Sequence, residues 1–463
     1  MADLNVFFHP KSIAIIGASE SMRFGYATTK YLLNSSFKTY PVNIKKNQIF
    51  GHKAFSKITD IPEDIELAIV IVGKEYVFQT VKDCINKGVK GIIIESAGFA
   101  ETGDISYATI EKEIAQMAND TDVRIIGPNC IGTTDFDTQF TSADMNFDEA
   151  IKGRIAVIAQ SGVLGNIFID WATDKGIGFS KTITIGNKVD VDEVDLLQYL
   201  NQDSKTSVIT LYLEGTKRGK ELIETLKKME KPVLILKNGK TEIGSKAVNS
   251  HTGSMAGNDA FYDAVIKQAP HVFRVNNFYE MFNIANVFAN QPLPKGKNIA
   301  IITGSGSLGA LACDEIENQK MNLAKLDETT ISLIQAVIPN WVSIRGTIDL
   351  GPSIFETFEP SIKAIFKDKN VDSILYIFSV PRWPLQMMGS LASEWAKHQF
   401  KLLNELTRQY QKPCICVCFG STWTFNFLRK ATVSENSEFK IPILSRIKHA
   451  IKAFKMMYEY SFP

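Results

Sequence analysis

The 463 residues are too many for a single core, and length alone suggests about three domains. With 45% apolar and 22% charged residues, and 51 Lys plus Arg against 50 Asp plus Glu, the chain reads as soluble and globular, without a net field to recruit nucleic acid or membrane. No apolar stretch is long enough for a membrane span, and the start, Met-Ala-Asp-Leu-Asn, lacks the basic and apolar regions of a signal peptide, so a cytoplasmic protein is expected.

Apolar runs that read as strands alternate with amphipathic helical stretches, the grammar of an α/β protein with parallel sheets flanked by helices. In chain order, strands are expected at residues 12–16, 67–72, 91–95, 123–126, 155–159, 207–213, 233–236, 299–303, 373–378 and 414–419. Lys152-Gly-Arg-Ile-Ala-Val-Ile-Ala-Gln-Ser-Gly-Val-Leu-Gly165 resembles Lys295-Gly-Lys-Asn-Ile-Ala-Ile-Ile-Thr-Gly-Ser-Gly-Ser-Leu-Gly309. Both read as a basic surface segment, a buried strand, a small-residue turn and a helix start. Two similar units therefore begin near residues 150 and 295, after a different one. Asn290-Gln-Pro-Leu-Pro-Lys-Gly296 has the composition of a linker. The expected domains are 1–148, 149–290 and 291–463. Six cysteines in so long a chain do not make a disulfide scaffold. Cys414, Cys416 and Cys418 alternate along one strand, which suits small core side chains better than a metal site.

Ser12-Ile-Ala-Ile-Ile-Gly-Ala-Ser-Glu-Ser-Met-Arg-Phe-Gly25 reads as a strand, a tight turn and a helix start, where doubly wound sheets bind phosphorylated ligands. Its glycines do not give G-x-G-x-x-G. The next strand end, Tyr40-Pro-Val-Asn-Ile-Lys-Lys46, offers two lysines in place of the acid that holds NAD ribose hydroxyls. Two lysines suit a phosphorylated ribose, which NADP and coenzyme A both carry, so these residues leave the choice open. Farther on, Asn249-Ser-His-Thr-Gly-Ser-Met-Ala-Gly257 sets a histidine among small and hydroxylated residues. A helix follows, with Asn258 or Asp259 as N-cap and Phe261, Ala264 and Val265 on one face. An imidazole there can reach a helix N-terminus, whose N–H groups and dipole attract phosphate. A phosphoryl carrier is one reading; an exposed loop histidine is the other.

Five segments occur in a telling order: Ser12-Ile-Ala-Ile-Ile-Gly-Ala-Ser19, Tyr40-Pro-Val-Asn43, Ile126-Gly-Pro-Asn-Cys-Ile-Gly132, Gln160-Ser-Gly162 and Ser250-His-Thr-Gly-Ser-Met-Ala-Gly257. Together they resemble the α subunit of ADP-forming acyl-CoA (acetyl-CoA) synthetases, within the succinyl-CoA synthetase superfamily. The likeness is good from about residue 7 to 310 and looser beyond. It implies a Rossmann-like CoA-binding domain followed by two flavodoxin-like, succinyl-CoA synthetase-like parallel-sheet domains. It implies that His251 is phosphorylated and that Glu214 orients and stabilises it. Ser161, Gly162 and Val163 match the phosphate-cradling loop. Gly17, Ala18, Ser19, Ser21 and Met22 match the CoA pyrophosphate turn, and Lys45 or Lys46 the basic residue at the phosphorylated end of CoA. Glu95, Ser96 and Ala97 match a further CoA-contacting turn, and Asn129 lies where the thioester end would approach. Cys130 is assigned no nucleophilic role.

The implied reaction interconverts acyl-CoA, ADP and phosphate with a carboxylic acid, ATP and CoA, through an acyl phosphate and a phosphohistidine. Neither G-x-x-x-x-G-K-[ST] nor a second nucleotide-grasping domain is recognisable. ADP or ATP with Mg²⁺ is therefore expected on an ATP-grasp β subunit, in an α2β2 assembly. No nucleic acid, no membrane and no metal bound by this chain are expected. Rival expectations are an NADP-dependent oxidoreductase and a non-catalytic CoA-binding assembly protein. Beyond residue 310 the chain diverges at Arg345-Gly-Thr-Ile-Asp349, and Arg382-Trp-Pro-Leu-Gln-Met-Met388 and Trp423-Thr-Phe-Asn-Phe427 are unusually aromatic. Such stripes are read as core or subunit contact before cofactor site.

Overall fold

The computed structural model describes residues 4–143, 151–244, 246, 259–340, 342, 344, 347–432 and 440–463. Short runs of Ile, Val, Leu and Ala are buried along their whole length, as parallel strands covered by helices on both faces must be. Among these residues the first sheet is parallel and five-stranded. It comprises β1 (Ser12–Ile16), β2 (Lys38–Val42) and, after a small hairpin of β3 (Gln48–Ile49) and β4 (His52–Lys53), β5 (Leu67–Val70), β6 (Gly91–Ile94) and β7 (Arg124–Ile126). Its order is β2-β1-β5-β6-β7.

The second sheet opens with an antiparallel pair, β8 (Thr133–Asp135) and β9 (Phe140–Thr141). It continues with β10 (Lys152–Ala159), β11 (Phe179–Thr184), β12 (Val208–Leu213), β13 (Val233–Lys237) and β14 (Val272–Arg274), ordered β14-β13-β12-β10-β11-β8-β9. The third has β15 (Asn298–Thr303), β16 (Asn322–Leu323), β17 (Ile348–Asp349), β18 (Ser373–Phe378), β19 (Cys414–Cys418) and β20 (Ile443–Leu444). It runs β16-β15-β18-β19-β20, with β17 also on β15. Leaving aside the antiparallel pair and β17, all three share one order, with the first strand between the second and third. That is the flavodoxin-like arrangement. Its ligands sit where the loops leaving the first and third strands diverge.

By contacts the chain divides into two compact units, residues 1–278 and 279–463. The first unit contains both of the first two sheets, fastened along a seam. The N–H groups of Asn187, Val189 and Val191 donate to the carbonyls of Pro128, Gly127 and Ile125 at 2.9, 3.1 and 3.0 Å. Asp190 accepts the Ile125 N–H at 2.7 Å and the Arg124 guanidinium at 2.8 Å. Gly186 makes the approach possible: its φ is +56°, and a Cβ there would lie 2.1 Å from the Pro128 carbonyl oxygen.

Two expectations about boundaries need correction. Residues 133–141, assigned by sequence to a first domain ending at 148, pair into the second sheet through β8 on β11. The stretch after residue 290 is not a loose connector either. Gln291 accepts the Cys414 N–H at 2.8 Å and donates to the Lys440 carbonyl at 2.9 Å. The preceding helix, Phe278–Asn290, is tied to the second unit by Glu280–Lys452 and by Asn283 Nδ2 to His449 Nδ1 at 3.0 Å. In β19 every residue is buried, and burial pushes the Cys418 thiol up to about 12, so the three alternating cysteines are core side chains. Arg345 and Gly346 lie outside the described residues. Among the described residues no helix is long and apolar enough to cross a membrane.

The strand β11 was not expected, and its sequence, Phe-Ser-Lys-Thr-Ile-Thr, explains why: half-polar, yet buried throughout. The Lys181 ammonium lies 2.9 Å from Asp135 on β8 and 3.0 Å from Asp203, with side-chain exposures of 1%, 0% and 11%. Removing one partner of a buried ion pair strands the other charge at about 3–5 kcal/mol. Lys181→Met should therefore lower the first unit's unfolding free energy by that amount in urea; a loss under about 1 kcal/mol would make the triad surface-like. A second prediction concerns Asp192, which caps the helix Glu193–Gln202 and binds Arg218 Nη1 at 3.0 Å. Burial, with Glu193 and Asp195 nearby, raises its carboxyl from 3.8 to about 6 against the opposing pull of Arg218. Between about pH 4 and 6 the unfolded chain loses this proton before the folded one, so the group's contribution to stability falls as pH rises and is flat above. Urea midpoints of wild type minus Asp192→Asn, which keeps a capping acceptor, should decline across that window.

Candidate active site

The loops at the carboxyl ends of the first two sheets face one cavity of about 1050 Å³ within the first unit. Glu95, Ser96 and Ala97 follow β6, and Asn129 and Cys130 follow β7. From the other side come Ser161 and Gly162 after β10, Gly186 to Lys188 after β11, and Glu214 to Lys217 after β12. In the second sheet β10 is the first strand and β12 the third. Ser161 and Glu214 therefore flank its switch point, where this fold binds ligands.

Gln160 ties those two loops together. Its Oε1 accepts the N–H groups of Glu214 and Gly215 at 2.9 and 3.2 Å. Lys188, itself at φ +59°, donates from Nζ to the Gly215 carbonyl at 2.6 Å and pairs with Glu193 at 3.0 Å. The backbone around Glu214 is thus fixed from both sides, and its side chain is 4% exposed. Ser161 stands at the N-cap of the helix Gly162–Asp174 without using its hydroxyl for the cap. Val163 lies in the first turn of that helix. The first-turn N–H groups have no intrahelical acceptor, so this end suits an anion.

The first-sheet wall is a hydrogen-bonded network. Asn129, at φ +60°, donates its N–H to the Ser96 carbonyl at 2.9 Å and its side-chain amide to Asn187 Oδ1 at 3.3 Å. Asn187 Nδ2 in turn donates to Glu101 and Glu111 at 2.7 and 2.8 Å. Burial raises the Glu111 carboxyl despite these hydrogen bonds. The Ser96 hydroxyl donates to the Val72 carbonyl at 2.6 Å, and Glu95 is 3% exposed. Burial first, and Glu95 second, push the Cys130 thiol well above its usual range, which disfavours a thiolate nucleophile.

The turn after β1 is a separate construction. Gly17 has φ +95°, and a Cβ there would fall 2.2 Å from the Ile71 carbonyl oxygen. The buried Ala18 offers its carbonyl to Asn43 Nδ2 at 2.8 Å, and Ser19 Oγ accepts the Ser21 N–H at 3.1 Å. Asn43 also gathers the N–H groups of Lys45 and Lys46 at 2.8 and 3.0 Å, so both lysines stand beside this turn. Lys46 is engaged: its ammonium sits 2.6 Å from Glu20, holding that carboxyl below its ordinary range. Met22 is 90% exposed. Arg23 and Phe24 line the cavity, whereas Gly17, Ala18, Ser19, Ser21, Met22, Lys45 and Lys46 are not among its described lining residues.

His251 lies outside the described residues. The flanks of its segment are described: β13 before it and the helix Asp259–Gln268 after it, with Asp259 and Asp263 both paired to Arg274 on β14. On that helix Tyr262 and Val265 are buried. Sequence reading assigned no role to Gln160, Asn187, Lys188 or Glu111. The first three follow the same strand-then-turn grammar as the residues it did find, but β11 was hidden by its polar half.

A CoA binding domain family matches residues 11–135, and a succinyl-CoA ligase like flavodoxin domain family matches residues 152–288. The chain is 40% identical over 386 residues to the ADP-forming acetate–CoA ligase II subunit alpha of Pyrococcus furiosus, covering 82% of this chain and 83% of that one. It is 32% identical over 475 residues to the ligase I subunit alpha of the same organism, covering 99% and 98%. The dinucleotide forming acetyl-coenzyme A synthetase 1 of Ca. Korarchaeum cryptofilum, solved in complex with phosphate and ADP, matches with a TM-score of 0.87 at 26% identity, over 100% of this chain and 97% of that one. Of two longer relatives the chain spans 57% and 49% of the length. The chain belongs to the family of ADP-forming acetate–CoA ligases, among their α subunits.

Proposed function

We propose that this chain converts acyl-CoA and phosphate to a carboxylic acid, CoA and a phosphorylated His251, which a partner subunit discharges onto ADP. The observation that carries the reading is that Glu214 and the Ser161–Gly162 helix start flank one switch point, in a cavity also lined by Glu95, Ser96, Ala97 and Asn129. In the first step a phosphate oxygen attacks the thioester carbonyl and the CoA thiolate leaves, taking up a proton. An imidazole nitrogen of His251 then attacks phosphorus in line, the bond to the acyl oxygen breaks, and the carboxylate departs. Finally an ADP oxygen takes the phosphoryl group as the N–P bond breaks.

Within this reading Glu214 fixes the imidazole tautomer and balances the charge of the phosphorylated ring. The backbone N–H groups of Gly162 and Val163, with the Ser161 hydroxyl, meet the phosphoryl oxygens. Each well-aimed donor is worth about 3–4 kcal/mol in rate, more than the roughly 0.3–1 kcal/mol of a helix dipole, so positioning outweighs the general field. CoA would lie with its pyrophosphate at Gly17 to Met22 and its thiol end at Asn129. Because Lys46 is engaged by Glu20, Lys45 is the cation we favour for the phosphorylated ribose. The nucleotide and Mg²⁺ belong to an ATP-grasp β subunit in an α2β2 enzyme of the cytoplasm. By function the chain would serve as three successive segments: CoA binding, the phosphohistidine loop, and a second flavodoxin-like ligase domain. Family membership does not favour the oxidoreductase alternative.

Incubation of the purified chain with ATP and Mg²⁺ should leave acid-labile phosphate on it when the β subunit is present and none when it is absent. His251→Gln should abolish the label, and Glu214→Gln should slow it about 100-fold. Efficient labelling of the chain alone would defeat the partner claim, and labelling of the glutamine variant would defeat the relay.

A further inference from the structure

Gln160 and Lys188 fix the backbone at Glu214, but backbone anchoring leaves the carboxylate at the end of a flexible side chain. A second set of contacts reaches the carboxylate itself. The Tyr212 hydroxyl donates to Glu214 Oε1 at 3.0 Å. The same phenolic oxygen accepts from Asn238 Nδ2 at 2.6 Å. Asn238 is held in turn, its N–H donating to the Leu213 carbonyl at 3.2 Å. The hydrogen bonds therefore run one way, from amide to phenol to carboxylate. A phenol has a single proton, and with its oxygen occupied by Asn238 that proton is directed at Glu214.

The ring is in no position to swing away. Tyr212 is 2% exposed, and its ring lies 5.4 Å from that of Phe278. Burial, then the neighbouring Glu214, pushes the phenol well above its ordinary range, so it stays protonated and remains a donor. Asn238 also begins the segment that leaves β13 in the direction of residue 251 in the chain. We propose that Tyr212, backed by Asn238, is a positioning residue that aims the Glu214 carboxylate for phosphoryl transfer at histidine. The inference rests on the role given to Glu214 above. Tyr212 touches no reacting atom; its effect passes entirely through the carboxylate.

Hydrogen bonds that orient metal-binding side chains, when lost, typically reduce activity about 10- to 100-fold while leaving the primary groups in place, and a loss of that order is expected for a carboxylate oriented in the same way. The test is a double-mutant cycle in the assembled enzyme, reading the single-turnover rate of histidine phosphorylation, the KM for CoA thioester and the urea midpoint. Tyr212→Phe should slow phosphorylation about 10-fold with KM unchanged, and should cause no further loss in a Glu214→Ala background. A merely structural tyrosine would cost the same factor in both backgrounds, and that result overturns the proposal, as does a Tyr212→Phe enzyme with an undiminished rate. Asn238→Ala repeats the cycle from the far end of the hydrogen-bond chain and decides the matter even where Tyr212→Phe fails to fold. A Glu214→Ala enzyme at full rate removes the role of Glu214 and this inference together. Loss with Glu214→Ala but not with Tyr212→Phe removes the inference alone.

Discussion

The seam between residues 125–128 and 187–191 is the constraint on which the first unit depends. Three backbone hydrogen bonds and the Arg124–Asp190 pair join the last strand of one sheet to the loop leaving the second strand of the next. Each such bond adds only about 1 kcal/mol net, yet breaking the seam would leave amides of buried and half-buried residues and a half-buried carboxylate unpaired, at a greater cost. Its geometric consequence matters more. The carboxyl ends of two sheets face one cavity, so Glu95, Ser96, Ala97 and Asn129 from one sheet and Ser161, Gly162 and Glu214 from the other line the same space. Asn187 stands at the junction, reaching Asn129, Glu101 and Glu111 from the second sheet's side.

Repetition of one strand order in three sheets turns a topological rule into a functional map. In the second sheet the rule singles out the loops after β10 and β12, which carry Ser161 and Glu214. Around that pair the polar residues are arranged in layers. Gln160 and Lys188 fix main chain, Tyr212 and Asn238 fix a side chain, and the start of the helix Gly162–Asp174 presents N–H groups. In the proposed reaction these hydrogen-bonded groups would form a preorganised frame for charge that develops during transfer.

Much of this was legible in the sequence, and the exceptions have physical reasons. Uniformly apolar strands such as β1, β18 and β19 announce themselves, because a parallel strand buried on both faces has no polar side to show. The strand β11 did not, because Lys181, Ser180 and Thr184 are satisfied by partners on β8 and elsewhere that no local window contains. The same holds for the short β8 and β9. Within the site, Glu95, Asn129, Ser161 and Glu214 were readable because each lies within three residues of a strand end in a family-like motif. Gln160 stands in a motif that gives it no role on its own, while Tyr212 is hidden inside an apolar strand. That Lys46 is bound to Glu20 could not be read, since the two meet only when β1 and β2 lie side by side.

The most direct measurement is the location of the phosphoryl group during turnover. The assembled enzyme, incubated with acyl phosphate and no nucleotide, is quenched in base and mapped by tandem mass spectrometry. The expected result is an acid-labile phosphoryl group on the His251 ring that disappears when ADP is added. Phosphate on a different side chain, or complete turnover through an unmodified polypeptide, would contradict it.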